Sequence, residues 1–118
     1  EIHRWVPQFA ILQQADAFVT HAGMGGSSEG LVTGTPMIAV PQAVDQFGNA
    51  DSLVDAGVAV RVDSATVTAV ELREALTLVS ADEFRRRSAE LAEELAAAGG
   101  VSRAVELIEA ALPGSGPR

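Results

Sequence analysis

Ala17-Phe18-Val19-Thr20-His21-Ala22-Gly23-Met24-Gly25-Gly26-Ser27-Ser28 is the stretch that decides the fold. A short apolar run of strand type stops at a glycine-rich turn, and a helix over about Ser28–Thr33 is expected to follow. That helix should end at Gly34, with Pro36 just beyond it. Strand, glycine loop and helix start form an anion-binding arrangement. Free N–H groups and the helix dipole face an incoming negative charge, and glycines let the backbone approach closely. The same residues also suit an ordinary tight turn, because a glycine loop alone is a weak signal.

Working outward, Pro7 suits the start of a short helix over about Gln8–Ala15. Downstream, Pro36-Met37-Ile38-Ala39-Val40-Pro41 reads as a second buried strand. A loop over Gln42–Phe47 then leads to a helix over about Gly48–Ala56, and Val58-Ala59-Val60-Arg61-Val62 is a third strand. The remainder reads as helical. Thr68-x-x-Glu71 is a capping box opening a helix to about Ser80, with Val70, Leu72, Leu76 and Val79 as its apolar contacts. Asp82 can cap a helix to about Ala98, and a last helix runs over about Val101–Leu112. Strands alternating with helices imply an α/β fold with a short parallel sheet and flanking helices. Such a sheet binds ligands beyond the carboxyl ends of its strands. The turn after Val19 and the loop after Pro41 should therefore meet at one crevice.

Composition narrows the chemistry. The 118 residues suit one domain, and 47% of them are hydrophobic, enough for a core. A net charge of −8 with no basic block argues against nucleic acid or an anionic membrane surface as partner. The 8 basic residues are all arginine, so P-loop and lysine Schiff-base chemistry are excluded within the chain. The cysteine count of 0 removes disulfides, thiolate metal sites and a cysteine nucleophile, and fits the cytoplasm. No apolar run approaches the roughly 20 residues needed to span a bilayer. The start, Glu1-Ile2-His3-Arg4, lacks an initiator Met and reads as a cut into a longer protein.

The candidate residues each admit two readings. Between Trp5 and Val60 there is no Arg, so a phosphate held there depends on backbone N–H groups, the Ser27 or Ser28 hydroxyl and His21. His21 could donate to a phosphate oxygen or simply pack. Glu29 could accept from a ribose diol or complement the helix dipole. Trp5 could stack on a base or anchor the loop, and Gln8 could bond base or ribose or open its helix. Asp45-Gln46 suits sugar hydroxyls, or is a solvated loop. Arg85-Arg86-Arg87 reads as a helix surface balanced by Glu83, Glu90, Glu93 and Glu94.

In order and spacing, Trp5-Val6-Pro7-Gln8, Ile11-Leu12, Phe18-Val19-Thr20-His21-x-Gly23, Glu29, Gly34-x-Pro36, Pro41 and Asp45-Gln46 resemble the donor-binding signature of family 1 UDP-glycosyltransferases. The form Met24-Gly25-Gly26-Ser27-Ser28-Glu29-Gly30-Leu31, with Asp45-Gln46-Phe47-Gly48-Asn49-Ala50, is most similar to that of actinomycete macrolide glycosyltransferases. The resemblance implies a partial Rossmann-like domain, the C-terminal half of a GT-B fold, over residues 1–112, with 113–118 as a flexible tail. It implies that Trp5 stacks on uracil with Val6 and Gln8 near base and ribose. His21 would bond the diphosphate, with Gly23 beside it and Gly25, Gly26 and Ser27 presenting N–H and hydroxyl groups. Glu29 would hold the ribose, and Asp45 and Gln46 would orient the donor sugar. The plant pattern has Trp-Asn-Ser where this chain has Met24-Gly25-Gly26; the hydroxyl missing at Gly26 could be replaced by that of Ser27, so the phosphate contact at those two positions departs from the pattern. The resemblance further implies a UDP-sugar donor such as UDP-glucose, no separate cofactor, and a hydrophobic acceptor bound by an N-terminal domain that also supplies the base. Macrolide inactivation, hence antibiotic resistance, is the activity expected of such a parent enzyme. A sugar-nucleotide epimerase of the same fold, a non-catalytic UDP-binding fragment and a helical interaction protein are the alternatives.

Overall fold

The computed structural model describes residues 7–110. Trp5 and Val6 lie outside the described residues, as do Leu112 and the 113–118 tail.

Among the described residues nine elements follow one another: α1 (Gln8–Leu12), β1 (Phe18–Thr20), α2 (Met24–Thr33), β2 (Met37–Ala39), α3 (Val44–Asp55), β3 (Ala59–Arg61), α4 (Ala69–Val79), α5 (Asp82–Ala98) and α6 (Val101–Ala110). The three strands pair in parallel in the order β1-β2-β3. Phe18 stands beside Met37 and Met37 beside Ala59, while Val19, Ile38 and Val60 form the next row. Alternation then sends the two rows to opposite faces. On one face Met37 and Ala59 pack with Leu31 of α2, Leu53 of α3, Leu91 and Leu95 of α5 and Ile108 of α6. On the other, Ile38 packs with Ala75 and Val79 of α4. The α/β fold and short parallel sheet expected from the sequence are present.

The element limits differ in instructive ways. The second helix begins at Met24, four residues before the expected start, so the glycine-rich turn is mostly helix. Ser28 does not cap it, because its hydroxyl donates to the Met24 carbonyl one turn back at 2.7 Å. Glycine in a helix interior costs about 1 kcal/mol, but close packing favours it here. A Cβ on Gly26 would come within 3.1 Å of Thr20 Oγ1, and one on Gly30 would overlap Met37 Sδ. The helix ends where expected, at Gly34 in the left-handed region (φ 71°).

The third helix begins at Val44 rather than Gly48. Gln46 Oε1 accepts from the N–H groups of Gln42 and Ala43, at 2.9 and 3.1 Å, and this cap moves Asp45 and Gln46 from the expected loop into the first helical turn. Asp82 is the first residue of α5, after an Ala81 N-cap, rather than the cap itself. Val70, Leu72 and Leu76 are exposed, and only Ala75 and Val79 of α4 are buried. The reason is lateral: α4 packs over β2 and β3, leaving half of Val19 on β1 exposed beside Leu72 and Leu76. No helix among the described residues is long and apolar enough to cross a membrane.

Candidate functional site

At the carboxyl edge of the sheet the chain leaves β1 through His21, Ala22 and Gly23. Ala22 is the one described non-glycine residue with positive φ, at 66°. For an L-residue that conformation costs about 1–2 kcal/mol. Two bonds hold it. The Ala22 N–H donates to Thr20 Oγ1 at 3.1 Å, and the Ala22 carbonyl accepts from Asn49 Nδ2 of α3 at 2.8 Å. The Ala22 methyl is fully buried against Ala39 and Ala50.

This sharp turn delivers the chain to Gly23, the N-cap of α2. The His21 ring, itself exposed, lies across Gly23: a Cβ there would be 2.8 Å from Nε2. The first α2 amide with an acceptor in the helix is that of Ser27, which donates to the Gly23 carbonyl at 2.9 Å. The amides at the helix mouth are therefore those of Met24, Gly25 and Gly26. No local signal in the sequence marks Met24, because helix propensity argues against a start in Met24-Gly25-Gly26. Ser27 is placed differently from its expected role. Its N–H is used within the helix and its hydroxyl is fully buried, with no partner among the described residues.

The expected ribose residues meet directly. Gln8 Nε2 of α1 donates to Glu29 Oε2 of α2 at 2.7 Å. That bond orients a half-buried carboxylate and leaves Oε1 to accept from a ligand. On α3, Asp45 is exposed and Gln46 partly so. Because Gln46 Oε1 is taken by two backbone donors, its Nε2 is directed outward as a donor. An acceptor at Asp45 beside a donor at Gln46 is what a sugar diol can use. The side chains of Trp5 and Val6 cannot be added to this geometry, being outside the described residues.

Arg61, at the carboxyl end of β3, is paired with Asp51 at 2.6 Å and stacked 4.9 Å from the Phe47 ring centroid. Arg87 donates to the Ala56 carbonyl at 3.0 Å and approaches Glu94 at 3.8 Å. Arg85 and Arg86 border a cavity of about 610 Å³ at the opposite, amino edge, beside Asp16 and Pro36. Among the described residues no group of His, Asp and Glu is arranged to hold a metal ion.

A short parallel sheet with a helix mouth, a half-buried carboxylate and a capped amide at its carboxyl edge defines an α/β module of Rossmann-like type. The chain belongs to the UDP-glucoronosyl and UDP-glucosyl transferase family, whose model matches residues 1–94. It is 61% identical over 114 residues to the oleandomycin glycosyltransferase of Streptomyces antibioticus, across 96% of this chain and 26% of that protein. It is 36% identical to the NDP-glycosyltransferase YjiC of Bacillus licheniformis, across 98% of this chain and 29% of that one. Among solved structures, the glycotransferase of kitacinnamycin superposes with a TM-score of 0.79 at 53% identity, over 96% of this chain and 30% of its own. The calicheamicin glycosyltransferase CalG4 superposes with a TM-score of 0.75 at 27% identity, over 92% of this chain and 29% of its own. The fold is thus the one found in these GT-B glycosyltransferases. The chain spans between a quarter and a third of the length of these relatives.

The glycines of α2 separate fold from ligand access. A Cβ on Gly25 meets nothing within 4 Å. Gly25→Ala should keep or raise the melting midpoint, as the helix propensity gain is about 1 kcal/mol. Gly25→Leu should melt like the parent yet lose affinity for UDP, since its side chain stands at the helix mouth. Differential scanning fluorimetry with and without UDP measures both. A Gly25→Leu chain that melts like the parent and binds UDP equally well removes the helix mouth from the site.

Proposed function

We propose that this chain is the donor-binding part of a glycosyltransferase that moves a sugar from a UDP-sugar, UDP-glucose in the first instance, to a hydroxyl of a macrolide-like natural product. One observation carries the reading: α2 and α3 both start at the carboxyl edge of the sheet, and Glu29, farther along α2, is bonded to Gln8. Gln8 and Glu29, bonded to each other, would form the ribose contact in this reading. The Met24, Gly25 and Gly26 amides and His21 receive the diphosphate, and Asp45 with the Gln46 amide receives the hexose. Glu29 is five residues into α2 from Met24, roughly 7–8 Å at 1.5 Å per residue. That span suits a ribose diol at one end and a diphosphate at the other. Trp5 would close the uracil end by stacking. The relative at 61% identity is named for oleandomycin, which supports an acceptor of this kind.

In this reading the chain works on the leaving group. As the bond from the sugar to the diphosphate breaks, negative charge grows on the phosphate oxygens. Preorganised amides at a helix start stabilise such charge without reorganising. No lysine or arginine is needed for that stabilisation. The base that deprotonates the acceptor hydroxyl and the hydrophobic acceptor pocket belong to an N-terminal domain outside this chain. The donor is a substrate, so the reading invokes no separate cofactor. A cytoplasmic setting and a part in antibiotic resistance go with it.

Isothermal titration of UDP into the chain, after circular dichroism has established that it is folded, should give saturable one-to-one binding. A folded chain that neither releases heat nor gains thermal stability at millimolar UDP would end the reading. Supplying the N-terminal half with UDP-glucose and a macrolide should then give turnover, which a purely nucleotide-binding module would not.

A further inference from the structure

We infer that Asn49 is a positioning residue of the donor site: its buried amide holds the left-handed turn at Ala22 and so sets the diphosphate end of the site relative to the helix bearing Asp45 and Gln46. The inference rests on the donor-site reading above.

Asn49 is 2% exposed, inside α3. Its Nδ2 donates across 27 residues of sequence to the Ala22 carbonyl at 2.8 Å. Its Oδ1 is buried with no partner among the described residues. Burying an amide with half its bonding capacity unused is unfavourable. A fold needing only to fill that space would do better with an apolar side chain. What the amide alone supplies is a donor to a carbonyl whose own residue is in a disfavoured conformation, φ 66°.

The placement of that carbonyl gives the bond its consequence. Ala22 is flanked by His21, whose ring lies across Gly23, and by Gly23, the N-cap of α2. Rotation at Ala22 toward ordinary negative φ would swing the His21 ring off Gly23 and re-aim the backbone entering the helix mouth. At its other end, Asn49 is one helical turn after Asp45 and three residues after Gln46 on the same helix. The Ala22, Ala39 and Ala50 contact closes the same junction with small apolar groups. A single buried bond therefore couples the two segments that β1 and β2 deliver to the carboxyl edge.

Backbone strain provides a test that a merely structural role would not meet. With Asn49→Ala the turn loses its restraint, and the fraction of molecules with a competent site falls. The apparent dissociation constant rises by the inverse of that fraction. Glycine adopts the left-handed conformation without the Cβ penalty, so Ala22→Gly should restore the population even without the amide. We expect Asn49→Ala to weaken UDP binding at least fivefold, measured by calorimetry well below the melting midpoint. Ala22→Gly added to it should recover at least threefold. Leu53→Val, a core change elsewhere on α3 and chosen to lower the midpoint by a similar amount, should leave affinity within twofold. If Asn49→Ala does not fold, Asn49→Ser, whose hydroxyl is too short to reach Ala22, takes its place. Affinity in the Asn49 variant equal to that of the Leu53 control overturns the inference while the donor site stands. A loss that Ala22→Gly does not rescue also overturns it. Failure of the unmodified chain to bind UDP instead removes the donor-site reading, and the inference with it.

Discussion

Gly30→Val is expected to abolish the cooperative thermal transition of this chain, read by circular dichroism as loss of helical signal at temperatures where the parent is folded. Gly30 lies within α2, and a Cβ there would overlap Met37 Sδ and stand 3.0 Å from Cε and 3.2 Å from Cγ. Met37 cannot yield by turning to solvent. It is fully buried on the central strand and packed with the residues of α2, α3, α5 and α6 that make the larger core. Elsewhere in a helix interior, glycine to alanine gains about 1 kcal/mol. Here the overlap costs about 1–3 kcal/mol, so Gly30→Ala should already lose stability. Valine adds two further methyl groups to the same contact, and its loss should exceed about 4 kcal/mol, a large share of the 5–15 kcal/mol typical of a domain. Combining Gly30→Ala with Met37→Ala should restore part of the loss, because the two changes share one space. A Gly30→Val chain that melts like the parent would mean that α2 does not lie against β2.

Glu29→Ala is expected to weaken UDP binding about a hundredfold and to remove the preference for UDP over its 2′-deoxy analogue. The Glu29 carboxylate is held by Gln8 through one oxygen, at 2.7 Å, which leaves the other as an acceptor. A hydrogen bond to a charged group contributes about 1.5–3 kcal/mol, and about 1.4 kcal/mol is a factor of ten in affinity. Losing the charged acceptor of a ribose diol therefore reaches about a hundredfold when both hydroxyls are bound. Glu29→Gln should fall between, since it keeps an acceptor and loses the charge. Stability should change little, because the Gln8–Glu29 bond is exposed. Titration calorimetry with the two nucleotides decides the matter. Equal affinity of the parent chain for both would dissociate Glu29 from ribose recognition.

Several features of this site were legible from residue type and order. The run Phe18-Val19-Thr20 reads as a strand because it is short, apolar and followed by glycines. Gly34 before Pro36 marks a helix end because only glycine takes the left-handed cap cheaply and proline cannot continue a helix. The Thr68 cap is also present, its hydroxyl accepting from the Glu71 N–H at 3.1 Å. Gln8 and Glu29 were each assignable to the ribose only by resemblance. Their bond to each other joins residues 21 positions apart, and no local pattern encodes it.

Other features were not legible, for reasons of packing. Propensity argues against a helix starting in Met24-Gly25-Gly26, yet the helix starts there. The gain comes from close approach of Gly26 to Thr20 and Gly30 to Met37, contacts made only once β1 and β2 are in place. The α3 start at Val44 has a local signal, a Gln at the third helical position, but without a Ser, Thr, Asp or Asn at the N-cap it competes poorly with a loop. Asn49 enters the sequence reading only within the run Asp45–Ala50, with no role attached to it. An Asn in the middle of a helix reads as a surface residue until the fold buries it against the Ala22 carbonyl.

The sequence by itself determined the class of fold and, by resemblance, singled out the residues of the proposed donor site. Both follow from local rules: strand and helix periods, glycine and proline punctuation, and an ordered set of residue types that a family shares. Tertiary structure alone decided which groups of those residues are available. It takes up the Ser27 amide and buries its hydroxyl, turns the Gln46 amide into an outward donor, and brings the amides of Met24, Gly25 and Gly26 to the helix mouth. It also spends a buried Asn49 on one strained alanine. Availability depends on which partners arrive from distant segments to occupy each donor and acceptor, and that is a property of the assembled sheet and helices rather than of any stretch of chain.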